Sequence, residues 1–246
     1  WLIDVTADKL YYQHDRVLGG VKAFIDHNGR RVDRMKLSME SPTAASAEIM
    51  PVAGGRRMTV DVSNFGALLS QLAITEMLAG GHALFEGHFD DTQETSPFRG
   101  HLKLSPFTIQ HAPGALLVAR SLSIYGWLDA KNPASFDVTR FEMPVTFADG
   151  VMHIHDGRAG NEALGATLEG PVYLDRGTLD LSGTIVPVFA INEIPGKIPA
   201  LGKLFSPEKG GGLLAVKFKL DGKIDTPNFS VSPLTIFLPG LLRNMF

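Results

Sequence analysis

Two stretches of this chain separate apolar from polar residues only when each is folded about a turn, and that property dictates antiparallel sheet. In FEMPVTFADGVMHIHDG, a two-residue turn at Asp149-Gly150 sets Phe147 opposite Met152 and Val145 opposite Ile154. In LEGPVYLDRGTLDLSGTI, a turn at Arg176-Gly177 sets Leu174 opposite Leu179, Val172 opposite Leu181, and Leu168 opposite Ile185. The other face then carries Glu169 with Thr184, Pro171 with Ser182, and Tyr173 with Asp180. Side chains alternate across a strand, so a register that sorts the two classes this cleanly specifies a sheet with one apolar face. What that face covers is the functional question.

The same reading extends along the chain. Residues 1–62 are expected to be a β-rich segment with an Asn28-Gly29 hairpin signal, and are expected to continue from a longer parent chain. Residues 63–246 form a second unit. Asn64 caps a helix expected near 64–79, with Phe65, Leu68, Leu69 and Leu72 on its apolar face and Gly80-Gly81 ending it. Strands resume at HALFEGHFDD and FRGHLKLSPFTI, where Ala83, Phe85, Gly87 and Phe89 alternate, as do Leu102 and Leu104. A mostly apolar helix is expected near 113–129, beginning at Pro113. A broken amphipathic segment is expected near 191–205, carrying Ile191, Ile194, Ile198, Leu201 and Phe205. GLLAVKFKL and NFSVSP read as the last strands.

Composition narrows the function. A formal net charge of −3 offers no basic field for nucleic acid. With no cysteine there is no disulfide scaffold, thiolate zinc site or cysteine nucleophile. No run reaches the ~20 apolar residues of a membrane-spanning helix.

Motifs with chemical potential each have a plainer explanation. His153 and His155 share a strand face at a spacing that can ligate a metal, but that face is the polar one and no third ligand is evident. Ser206 and Lys209 have serine–lysine spacing without the partner motifs of that chemistry. Gly210, Gly211 and Gly212 follow Lys209, whereas a phosphate-binding loop needs its lysine after the glycines. Glu86, Glu142 and Glu169 sit on polar strand faces. No catalytic set, cofactor site or metal site is expected.

The apolar strand faces remain, and the three short apolar segments are too few to cover them unless the sheet folds over on itself. The expected fold is therefore mainly β: a long, twisted, curled antiparallel sheet with an apolar groove and a few short amphipathic helices. Phe85, Phe89, Leu102, Leu104, Val145, Phe147, Met152, Ile154, Leu168, Val172, Leu179, Leu181, Ile185, Val216 and Phe218 are expected to face one interior. The tail LTIFLPGLLRNMF presents Phe237, Leu238, Leu241, Leu242 and Phe246 with a single charge at Arg243. Two fates are open to it: plugging one end of the sheet, or touching a membrane or partner with Arg243 at phosphate level.

The C-terminal half carries a long ordered pattern. A strand ends at Val186-Pro187, Asn192 follows Phe189 by three residues, and IPGKIPALG leads to a glycine run. AVKFKLDG, DTPNFSVSPL and PGLLR complete it. With ALLSQLAI and GGHALFEGHFDDTQ upstream, this resembles the C-terminal region of AsmA-like proteins, specifically the YhdP or DUF3971-type branch, over roughly residues 60–246. The resemblance implies a protein of the Gram-negative periplasm, anchored in the inner membrane through its parent chain. It implies an apolar β-groove that conducts phospholipid between inner and outer membranes, without enzymatic activity and with a possible envelope protein partner. The alternative is a non-enzymatic envelope or outer-membrane-protein assembly factor with a closed, dry core. A third reading, enzymatic, rests on the HIHD histidines alone.

Overall fold

The computed structural model describes residues 1–13, 16–110, 135–161, 164–187 and 216–231. The helices expected near 113–129 and 191–205, the Ser206–Lys209 and triple-glycine motifs, and the tail residues Phe237 to Phe246 lie outside the described residues.

The protein is mainly β. Strands β1 (Leu2–Gln13), β2 (Arg16–His27), β3 (Val32–Met39), β4 (Ala45–Val52) and β5 (Gly55–Val62) form a meander. It continues through β7 (Ala83–Asp90), β8 (Phe98–Leu104), β11 (Arg140–Ala148), β12 (Val151–Gly160), β13 (Leu164–Tyr173), β14 (Thr178–Pro187), β15 (Val216–Lys223) and β16 (Pro227–Val231). These make one 13-stranded antiparallel sheet in chain order, unbroken across residues 62 and 63 because β5 pairs with β7. Its edges, β1 and β16, do not pair with each other, so among the described residues there is no closed barrel. A second sheet, in the order β10-β9-β6, is built from β6 (Leu78–Gly80), β9 (Phe107–Gln110) and β10 (Ser135–Val138).

The Asp149-Gly150 hairpin forms in the expected register, Phe147 opposite Met152 and Val145 opposite Ile154. Both turn residues have positive φ, 52° and 78°, which a two-residue turn matched to strand twist requires. The second hairpin needs a correction. Val172 pairs with Leu179, Leu168 with Gly183, and Ala166 with Ile185, a displacement of two residues from the expected register. Gly177 has φ 61° while Arg176 stays out of that region, so residues 174–177 form a four-residue turn. Leu174 is left exposed, and the Arg176 guanidinium lies 4.4 Å from the Tyr173 ring centre. A two-residue slip preserves face, so the sorting of apolar from polar side chains survives.

Only one helix occurs among the described residues, α1 (Phe65–Gln71), and it is shorter than the expected 64–79. Asn64 caps it as expected, accepting from the Ala67 amide at 3.0 Å. Its end is set by Ala73, with φ 56°. The Ile74 amide bonds to Leu69 and the Ala73 amide to Ser70, a left-handed terminus of the kind glycine favours. Gly80-Gly81 therefore does not end the helix, because β6 intervenes. The helix lies directly on that strand: a methyl at Gly66 would sit 2.4 Å from the Leu78 carbonyl oxygen. Gly66→Ala, usually favourable in a helix, is expected to destabilise by about 1–3 kcal/mol in urea titration.

FRGHLKLSPFTI also divides. β8 ends at Leu104, and after Ser105-Pro106 the chain leaves the large sheet to become β9.

Candidate functional site

Cross-strand pairing collects the apolar residues of the large sheet on one face, in rows that run across the strands. One row begins Ala45–Val62–Ala83–Leu104–Phe141 and continues Ala159–Ala166–Ile185–Val216. A middle row runs Met58–Gly87–Gly100–Val145–Ile154–Gly170. A third, nearest the hairpin turns, runs Phe89–Phe98–Phe147–Met152–Val172–Leu179. The reverse face pairs Glu86 with His101, Thr146 with His153, and Thr184 with Lys217.

Fourteen of the fifteen residues singled out in the sequence reach this face in two buried groups and a smaller satellite; for Val216 only the backbone pairing with Ile185 is described. Leu104 and Leu102 belong with Val62, Ala83, Phe107 and Val138. Phe85, Phe89, Phe147, Met152, Leu168 and Leu179 pack around Val145, Ile154, Val172 and Leu181. Phe218 meets Ile185.

The two main groups are covered differently. Over the alanine-rich row sit Phe65 and Leu68 of α1, Leu78 of β6, Phe107 and Ile109 of β9, and Phe136 and Val138 of β10. Around Val145 and Leu181, at 3% and 4% exposure, the described side chains come from the large sheet itself and from Ile224 in the turn after β15.

Glycines on this face have a steric role. A methyl at Gly87 would lie 2.0 Å from the tip of the Phe98 ring, and one at Gly183 2.4 Å from the tip of the Phe218 ring, so each ring occupies the space that a side chain would need. Gly87→Val is expected to cost about 2–3 kcal/mol, read as a lower urea midpoint.

Arg56 is a buried residue that the sequence analysis missed. It occupies an apolar-face position opposite Phe89, 5% exposed, with its guanidinium 4.3 Å from the Phe89 ring centre. Nε and Nη2 each donate to the Asp91 carboxylate at 2.9 Å, and Nη1 donates to the Val32 carbonyl at 2.6 Å. Arg31 adds a 3.0 Å ion pair to the same carboxylate. The Arg56 hydrogen bonds, chiefly, hold the Asp91 carboxyl below its usual pKa. The available signal was Arg56 itself: in GRRMTVDV it falls in phase with Met58, Val60 and Val62.

The histidine pair lies on the reverse face. The His153 and His155 rings stack 6.2 Å apart, and His155 Nε2 shares a 2.8 Å hydrogen bond with Thr146. Among the described residues no three metal-ligating side chains converge. A depression of about 610 Å³ also lies on the reverse face, lined by Thr167, Glu169, Ser182, Thr184 and Lys219. Lys219 is engaged there with Asp180 at 3.1 Å and Asp221 at 3.4 Å, which raise its pKa. Among the described residues the large sheet therefore has one face of packed apolar side chains and a reverse face of polar and charged ones.

Comparison with protein-family models, curated proteins and solved structures found no match to this chain.

Proposed function

We propose that this chain is a non-enzymatic, lipid-conducting module of an AsmA-like envelope protein. In this reading it works in the periplasm of a Gram-negative bacterium, its parent chain anchored in the inner membrane. The turn-side half of the apolar face curls into a groove that shields phospholipid acyl chains between the two membranes. One observation carries the reading: apolar residues occupy the same face of successive strands across the sheet, and one half of that face is packed, among the described residues, almost wholly by its own sheet. Glycines at Gly87, Gly100 and Gly170 favour bending of the strands. Each methylene moved from water onto such a face gains ~0.8 kcal/mol, enough for an acyl chain to be held without directional contacts.

A native gel tests this. The purified protein is mixed with vesicles containing phospholipid that bears a fluorescent acyl chain. Fluorescence comigrating with the protein is expected; a dark protein band contradicts the reading.

The low exposure of Val145, Ile154 and Leu181 favours a second reading, an envelope or outer-membrane-protein assembly factor whose interior is closed and dry. It predicts the dark band and no lipid in the purified protein.

A further inference from the structure

The turn between β2 and β3 carries the sequence's single Asn-Gly pair, Asn28-Gly29, with a polar partner on every reactive atom. The Gly29 amide donates to His27 Nδ1 at 3.0 Å. The His27 ring is held by stacking on Trp1, with ring centres 4.6 Å apart. Asn28 Oδ1 accepts from the Arg30 and Arg31 amides at 3.0 and 3.1 Å. Asn28 Nδ2 donates to both oxygens of the Asp33 carboxylate at 2.9 Å. These partners fix which end of the side-chain amide is which, because backbone N–H groups need an acceptor and a carboxylate needs a donor. Gly29 has φ 102°, and a side chain there would meet nothing within 4 Å, so no bulk stands over its amide.

Attack of a backbone amide nitrogen on the preceding asparagine side chain makes three demands. The nitrogen must give up its proton, charge developing on Oδ1 must be stabilised, and Nδ2 must leave as ammonia. Each demand has its group in this turn. We propose that Asn28 modifies itself, cyclising onto the Gly29 nitrogen and then hydrolysing to aspartate and isoaspartate. His27 Nδ1 takes the Gly29 proton as the N–Cγ bond forms. The Arg30 and Arg31 amides face the oxyanion on Oδ1 as a backbone hole. The proton held by His27 passes to Nδ2, the Cγ–Nδ2 bond breaks, and ammonia departs beside the Asp33 carboxylate, which stabilises positive charge there. One water then opens the succinimide at either carbonyl, and Asn28 and Gly29 are both exposed to it. No other reactant is needed. The product sets a second carboxylate beside Asp33, whose cation, Arg31 at 3.3 Å, also serves Asp91 at 3.0 Å.

Incubation of the whole chain in neutral buffer tests this. Trypsin cleaves after Lys22 and Arg30, and conversion in the released peptide, residues 23–30, is followed over days by mass spectrometry. Electron-transfer fragmentation distinguishes isoaspartate from aspartate. A synthetic peptide of the same residues supplies the rate without the hairpin. The folded chain is expected to convert about threefold or more faster than the peptide. His27→Phe, which keeps a ring for Trp1 to stack on, is expected to lose that advantage while retaining wild-type circular dichroism. Conversion in the folded chain no faster than in the peptide overturns the proposal, because the bonds to Asn28 then protect it. An unchanged rate in a folded His27→Phe overturns it too, by removing the proton acceptor. If His27→Phe does not fold, His27→Gln takes its place.

Discussion

Val145→Asp is expected to lower folding stability by about 4 kcal/mol, because it places a carboxylate at a position 3% exposed among Phe98, Ile154 and neighbouring apolar side chains. The described side chains grouped with Val145 are apolar, so a carboxylate there exchanges its hydration for apolar contacts. Leu179→Asp provides the contrast. Leu179 is half-buried at the turn-side end of the same face, where an aspartate can reach solvent. It is expected to cost about 1–2 kcal/mol and leave the protein folded, yet abolish comigration of fluorescent lipid. Equal destabilisation by both substitutions would mean that the whole face is dry core. Urea titration followed by circular dichroism reads both values.

Asp91→Ala is the second large effect. It leaves the Arg56 guanidinium buried against Phe89 with only the Val32 carbonyl as acceptor, and loss of one member of a buried pair typically costs about 3 kcal/mol or more. The pH dependence follows from the depressed pKa of Asp91. A carboxyl whose folded pKa lies below its unfolded value contributes stability at neutral pH. That contribution is fully present above the unfolded value of about 3.9 and is lost as pH falls through the folded value. The wild type is therefore expected to lose stability below about pH 4 more steeply than Asp91→Asn, which has no carboxyl to protonate. Parallel acid-unfolding curves for the two proteins would show that the Arg56 contact is energetically idle.

Where the chain obeys local rules, the fold was legible. Asp149-Gly150 satisfies a two-residue turn at both positions, so its register could be counted from the residues alone. Arg176 cannot take a positive φ as readily as glycine or aspartate, and the second turn lengthened to four residues. Its faces remained readable because the slip was even. At β12 an extra residue enters the strand at Asp156, φ 46°, shifting its register against both neighbours. Simple alternation from Ile154 would aim Asp156 and Arg158 at the apolar face. The bulge instead leaves both exposed, where they pair with each other.

The helix end was hidden for a related reason: Ala73 adopts the conformation that a glycine would have announced. The three-stranded sheet could not be read at all. Its strands hold three or four residues each, too few for alternation to register, and they meet only through contacts distant in sequence. Arg56 was legible in principle. A cation in phase with three apolar positions calls for a buried anion, and Asp91 lies just beyond the strand paired with β5.

The central claim is that the turn-side face holds acyl chains. Organic extraction of the protein purified without detergent, followed by quantitative mass spectrometry, tests it most directly. The account predicts phospholipid close to one molecule or more per chain, falling at least fivefold in Leu179→Asp. Lipid-free wild-type protein, folded and monodisperse, would contradict it.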